Sequence, residues 1–217
     1  MKIYLATGNK NKKREMVELL SGHEIIIPSD ENIKFDPDET GITFYENSLI
    51  KAKALYDIVH YPVIADDSGI CVDALGGSPG IYSSRYAGPD FMHGKPDGTK
   101  ISQEEQNIFL IEQTNKAIKD GNLPKMPYLH GPRSCHYTCA MVLYAGPDSL
   151  FVAQETFEGT LIDDINNQAG TGGFGYDPIV FLPQYNKTVA QISAEEKNAI
   201  SHRGKAVRII QKIIEHL

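Results

Sequence analysis

The chain reads as an α/β protein, a mixed β-sheet with flanking helices, and three sets of residues carry that reading. Lys2 to Ala6 forms a short apolar strand that runs into Thr7-Gly8-Asn9 and then a charged segment. Met16, Leu19 and Leu20 recur there at helical spacing, and His23 to Ile27 resumes as a strand, a β-turn-α-β opening. Ser134 to Ala145 and Leu150 to Gly159 are long enough to be antiparallel partners joined at Gly146-Pro147-Asp148. Thr43-x-x-Glu46 and Ser193-x-x-Glu196 have the capping-box pattern that starts a helix. The 217 residues suffice for one domain, taken as residues 1–217, with room for two lobes around a central cleft.

The remaining elements follow in chain order. Residues 28–42 are acidic and turn-rich, a surface loop, and the helix begun at Thr43 continues through Leu49, Ile50, Leu55 and Ile58 to about His60. Pro62 to Ala65 predicts a brief strand ending on Asp66-Asp67-Ser68-Gly69, with Ile70 to Val72 able to resume it. Gly76-Gly77-Ser78-Pro79-Gly80 breaks regular structure. Residues 87–100 form a loop, residues 102–119 a helix, residues 120–132 a second loop, and Pro178 to Leu182 a short strand. Ile200, Val207, Ile210, Ile213, Ile214 and Leu217 predict a terminal amphipathic helix with an interruption near Ser201–Gly204.

Composition narrows the function. The formal net charge of −7 supplies no global attraction for polyanions, which argues against a nucleic-acid partner. A phosphate-bearing ligand would need a local basic pocket and a divalent cation. Cys71 and Cys139 lie in apolar runs, where a buried free thiol is the usual state. Cys135-His136-x-x-Cys139 lacks a second ligand pair at zinc spacing. Neither a signal-peptide core nor a membrane-spanning apolar run is apparent, so a cytoplasmic protein without membrane contact is expected.

Five segments could carry chemistry, and each has two readings. Thr7-Gly8-Asn9-Lys10-Asn11-Lys12 places glycine and a helix N-terminus after a strand. It is either a phosphate cradle or an ordinary turn with surface lysines. Asp66-Asp67-Ser68-Gly69 offers two carboxylates on opposite strand faces, one for a metal or a proton, or else an Asp-rich turn with Gly69 at positive φ. Glu46 is explained by its helix cap, yet could also face a metal. Gly172-Gly173-Phe174-Gly175-Tyr176-Asp177 is either a stacking platform, with Asp177 accepting from base N–H groups, or a hairpin loop with Phe174 in the core. Ser201-His202-Arg203-Gly204 with Lys197 is either a donor cluster for carbonyl or phosphate oxygens or a cap beside a solvated basic face.

Taken in order, these and their neighbours resemble the inosine/xanthosine triphosphate pyrophosphatase family. The residues are Thr7-Gly8-Asn9-x-x-Lys12, Glu46-Asn47-Ser48 ahead of Lys51-Ala52-Lys53, Ala65-Asp66-Asp67-Ser68-Gly69, Leu75-Gly76-Gly77-x-Pro79-Gly80-Ile81-Tyr82-Ser83-x-Arg85-Tyr86, Gly170 to Pro178, and Glu195-Glu196-Lys197-x-x-Ile200-Ser201-His202-Arg203-Gly204. The resemblance spans Leu5 to about Lys205, although Ser48 stands where that family more often has alanine. It implies a homodimeric ITPase-like enzyme that uses Mg²⁺ to hydrolyse ITP, dITP and XTP to the monophosphate and pyrophosphate. It further implies that Thr7, Gly8, Asn9, Lys10, Asn11 and Lys12 hold the polyphosphate, and that Glu46 and Asp67 bind metal with Asp67 as the general base. Ser68, Phe174, Gly175, Tyr176, Asp177, Lys197, His202 and Arg203 would contact substrate.

The chemistry is consistent with charge. Pyrophosphate leaves readily only when its developing negative charge is neutralised. A nucleotide-sensing protein without turnover would gain nothing from extra carboxylates, and a phosphotransferase would want a Walker or kinase signature that is absent. A pyrophosphatase for modified pyrimidine nucleotides is the sequence-related alternative, disfavoured by Phe174 and by Ser201-His202-Arg203.

Overall fold

In the computed structural model the described residues are 1–216, apart from Asn122 and 125–130. Leu217 and much of the loop expected at 120–132 lie outside them. The strands are β1 (Lys2–Leu5), β2 (Glu24–Ile26), β3 (Val63–Val72), β4 (Ser134–Gly146), β5 (Ser149–Leu161), β6 (Val180–Leu182) and β7 (Lys187–Thr188). The α-helices are α1 (Lys10–Leu19), α2 (Phe44–Val59), α3 (Gln103–Asp120), α4 (Ala194–Ile200) and α5 (His202–Ile214). The strands make one sheet in the order β2-β1-β3-β4-β5-β6-β7. β1 pairs in parallel with β2 and β3, whereas β6 is antiparallel to β5 and β7, so the sheet is mixed.

Contacts divide the chain into two compact units. The first comprises Met1–Ser68, Cys139–Glu155 and Asn198–Leu217, and the second Gly69–Thr138 and Thr156–Lys197. In the first unit the strand period of two sends side chains to two apolar layers. Ile3 and Leu5 of β1, with Met141 and Leu143 of β4, pack with Met16 of α1 and Val207 and Ile210 of α5. Tyr4 and Ala6, with Val142 and Tyr144, pack with Ala52 and Leu55 of α2. The second unit buries Leu110 and Ile111 of α3, and stacks Tyr137 on Phe157 at 6.3 Å between ring centroids.

Local chemistry explains the helix starts. Thr43 accepts the Glu46 N–H while Glu46 accepts that of Thr43, and Ser102 and Glu105 repeat the exchange ahead of α3. Ser193 and Glu196 do the same before α4, and Ser201 caps α5, which places the interruption where the sequence predicts it. One expectation is corrected: β3 does not end at Asp66. It runs unbroken from Val63 to Val72, and Gly69 is absent from the positive-φ residues, so the Asp-rich turn is not formed. Gly69 meets a different constraint. A Cβ there would lie 2.3 Å from the Gly80 carbonyl oxygen and 2.4 Å from Ser83 Oγ.

All three cysteines are free and buried. Among the described residues no helix is long and apolar enough to cross a membrane. Truncating Leu55, fully buried in the α2 layer, is expected to cost about 2–5 kcal/mol in urea unfolding, whereas Val152→Ala on the exposed side of β5 should stay within about 0.5 kcal/mol.

Candidate active site

The continuation of β3 through the acidic motif sets its chemistry, because alternate residues face opposite ways. Asp66 and Ser68 share one side and one partner. Arg203 at the start of α5 donates from Nη2 to Asp66 Oδ2 at 3.0 Å and to Ser68 Oγ at 2.9 Å, while Nη1 meets Glu15 Oε2 at 2.5 Å. Lys12 adds its ammonium at 3.0 Å from the same Asp66 oxygen. Asp67 faces α2 instead, where Lys51 Nζ donates to its Oδ1 at 2.9 Å and Asn47 Nδ2 approaches its Oδ2 at 3.4 Å. Lys51 also meets Glu39 at 3.1 Å.

Burial pulls the two carboxylates in the same direction, and their neighbours separate them. For Asp66, burial favours the neutral acid, but Lys12, Arg203 and Lys51 outweigh it and hold the group far below the usual carboxylate range. For Asp67, burial dominates over Lys51 and Lys12, and Glu39 adds repulsion, so its proton affinity is raised. Asp66 is a fixed charge and Asp67 the more basic oxygen donor. The thiols are poor nucleophiles, since burial pushes Cys139 up to about 12 and Cys71 up to about 11.

Around this pair, α1 and α2 present their N-termini. Asn9 caps α1 by accepting the N–H groups of Asn11 and Lys12, and its own N–H donates to Thr7 Oγ1. Gly8 lies outside the positive-φ set, and a Cβ there would meet nothing within 4 Å. The turn therefore does not require glycine, contrary to expectation. Lys12 is occupied by Asp66, while Lys10 is exposed. Glu46 Oε2 takes the N–H groups of Ile42 and Thr43, so its cap is realised. Ser48, the departure from the family pattern, donates to the Ala65 carbonyl at 2.9 Å and ties α2 to β3 one residue before Asp66.

The second unit carries the aromatic loop. Phe174 is half-buried and outside the core, with the Lys197 ammonium 4.7 Å from its ring centroid. Asp177 Oδ2 accepts the Phe174 N–H and the Lys197 ammonium, each at 2.8 Å. Gly173 and Gly175 have φ of 69° and 68°, conformations that favour glycine, and a Cβ on Gly173 would lie 2.0 Å from Asp177 Oδ2. Tyr176 is buried and its hydroxyl donates to the Ser83 carbonyl at 2.9 Å. Burial raises the Tyr137 hydroxyl well above its ordinary value, and the neighbouring Asp177 adds to it.

Several alternatives are thereby decided. His202 and Arg203 are buried, at 6% and 1% exposure, so the solvated basic face is not formed. Phe174 is not a core residue. Lys51, Asn47, Glu15 and Ser83 take part without having been singled out as site residues. Asn47 and Lys51 sit four apart on one face of α2, a spacing visible in the sequence, whereas Glu15 reveals itself only through Arg203, 188 residues away.

Buried carboxylates paired with cations on both sides of a central strand, near a helix N-terminus, make this the candidate site of an α/β protein. The Ham1 family model matches residues 3–213. The dITP/XTP pyrophosphatase of Treponema denticola is 47% identical over 99% of both chains, and that of Escherichia coli K12 is 38% identical over 96% of this chain and 95% of its own. A Ham1 protein from Coxiella burnetii superposes with a TM-score of 0.80 at 31% identity, over 100% of both chains. The Staphylococcus aureus Ham1 protein gives 0.77 at 32%, over 100% of this chain and 99% of its own. The chain belongs to the Ham1 family.

The asymmetry of the acidic pair predicts unequal effects on stability. Asp66→Asn leaves buried Arg203 with Glu15 as its one carboxylate among the pairs described and takes the anion from partly buried Lys12, and is expected to cost about 3 kcal/mol at pH 7. Asp67→Asn should cost less, since Lys51 retains Glu39 and the burial that raises the proton affinity of Asp67 offsets its pairing. The lowered value of Asp66 makes its contribution complete above the unfolded carboxylate range and lost as pH falls through the folded value. The gap between wild type and Asp66→Asn in thermal melts should therefore narrow below about pH 4.

Proposed function

We propose that the chain hydrolyses non-standard purine nucleoside triphosphates, namely ITP, dITP and XTP, to the nucleoside monophosphate and pyrophosphate. The observation that carries this reading is the division of the acidic pair by strand alternation: Asp66 pairs with Lys12 and Arg203 on one side, while Asp67 faces Lys51 and Asn47 of α2 on the other. Near-full-length relatives that bear the name dITP/XTP pyrophosphatase support the substrate class. The span 1–217 is read as one catalytic domain of a cytoplasmic homodimer.

In this reading Thr7, Gly8, Asn9, Lys10, Asn11 and Lys12 hold the polyphosphate. A glycine that the local fold does not require, at a helix N-terminus, lets phosphate oxygens approach the backbone. Glu46 and Asp67 would hold Mg²⁺. No cluster of three or more His, Cys, Asp or Glu side chains suited to a metal occurs among the described residues. Two hard oxygen donors nevertheless fit an ion that completes its octahedron with water and substrate phosphates. Bound there, the metal would supply charge neutralisation at the phosphates.

Asp67 takes the proton from a water attacking the α-phosphorus in line, and the bond to the pyrophosphate oxygen breaks. Lys51 and Lys12 offset the negative charge beside it. Phe174 stacks on the purine, flanked by Gly175, Tyr176, Asp177 and Lys197, with Ser68, His202 and Arg203 as further substrate contacts. A direct contact from Arg203 requires exchange of one of its present partners, Asp66, Glu15 or Ser68. Donors aimed at the purine 6-position favour a keto group and are left unpaired by adenine. Guanine carries the same keto group, so this contact discriminates against ATP alone.

With Mg²⁺ present, pyrophosphate release from ITP, dITP and XTP is expected to exceed release from ATP by at least about tenfold, and appearance of single orthophosphates would reject the cleavage position. Asp67→Asn should lower kcat by about 10²–10⁴-fold with the fold intact by circular dichroism; near-normal turnover would remove Asp67 from the base role.

A further inference from the structure

We infer that Ser83 is a positioning residue for the purine platform, acting through Tyr176; this rests on the proposed role of Phe174, Asp177 and Lys197 in holding the base. Ser83 lies in the Leu75–Tyr86 motif, to which the catalytic reading gives no task. It is buried, and its hydroxyl is enclosed by backbone: Oγ accepts the Ile70 N–H at 2.9 Å and lies 2.5 Å from the Gly80 carbonyl, which it meets as donor. The segment is bound to β3 at further points. Val72 N–H donates to the Ser78 carbonyl at 3.1 Å, Gly77 N–H to the Val72 carbonyl at 3.0 Å, and Cys71 forms a bridge with Pro79. Gly69 has no side chain, and the 2.3 Å from its would-be Cβ to the Gly80 carbonyl shows how close the two backbones run.

The aromatic loop is tied to this anchored segment by a buried bond, Tyr176 hydroxyl to Ser83 carbonyl at 2.9 Å, between residues 93 apart in sequence. Tyr176 stands two residues after Phe174 and one before Asp177, and the Asp177 carboxylate closes the turn on the Phe174 N–H. The loop backbone contains left-handed glycines at Gly173 and Gly175, which leave its path open to alternatives unless something outside it chooses one. The Tyr176–Ser83 bond makes that choice together with Lys197 on Asp177 and the Gly172 N–H on the Ala190 carbonyl. Ser83 thus sets where the ring and the carboxylate stand relative to β3 just past the acidic motif, without touching substrate.

Tyr176→Phe deletes the hydroxyl that bonds the Ser83 carbonyl, and Ser83→Ala deletes the hydroxyl that anchors the same segment to Ile70 and Gly80. The experiment measures kcat and KM for ITP, inhibition by IMP, and inhibition by inorganic tripolyphosphate, which has no base. For Ser83→Ala the expected result is KM for ITP and Ki for IMP raised about three- to tenfold, kcat within about twofold, and tripolyphosphate inhibition unchanged; Tyr176→Phe should raise the same two constants. Ser83→Ala also leaves the Ile70 N–H unpaired and should lower the melting temperature, so melting alone decides nothing. Unchanged constants for ITP and IMP in both variants would overturn the inference, as would kcat and tripolyphosphate inhibition shifting in step with them. Phe174→Ala separates the two layers of the argument. If it leaves KM for ITP unchanged, the platform reading falls and this inference with it; if it raises KM while Ser83→Ala and Tyr176→Phe do not, only the positioning role falls.

Discussion

A carboxylate with no access to water, Asp66, organises the first unit. An isolated charge in that position would be prohibitive, and it is tolerated because a lysine from α1 and an arginine from α5 reach it together. The same contact holds the N-terminal turn of α1, the start of α5 and the middle of β3 in one arrangement. Lys12, Arg203 and Ser68 are fixed as a by-product. Asp67, one residue further on, escapes that neutralisation because the strand turns it to the other side, where Lys51, shared with Glu39, and the field of Lys12 do not offset its burial. One residue of strand period thus separates a carboxylate held by two cations from one whose proton affinity is raised.

The second unit uses a different device. Its aromatic loop gains definition from hydrogen bonds to backbone carbonyls and amides rather than from paired charges, apart from Lys197 on Asp177. Lys197 neutralises the acid and lies against the Phe174 ring, so one ammonium group bears on both the charge and the orientation of the loop. Both units keep buried polar groups in multiply bonded sets, as a low-dielectric interior demands.

Much of this was legible because it is local. Capping boxes, the β-turn-α-β opening and the break before α5 follow from residues three or four apart, and each formed where the sequence placed it. The course of β3 was not legible. Two acids followed by serine and glycine have the composition of a turn, and only partners 54 and 137 residues away make an extended, buried backbone stable there. Gly8 and Gly69 mislead in the same way. Each suggests a special φ, yet the first has open space beside it and the second makes room for another backbone, neither of which a local window reveals. The cap at Glu46 was readable from spacing, while the link from Asn47 to Asp67 needed the packing of α2 on β3.

The three cysteines have a practical consequence. All are enclosed, and burial keeps the Cys71 and Cys139 sulfurs protonated at neutral pH, so alkylating reagents that attack thiolates find little to react with in the native protein. A single cysteine introduced on an exposed position would then stand out as a selective handle for a fluorophore or spin label, without first stripping the native thiols from the core.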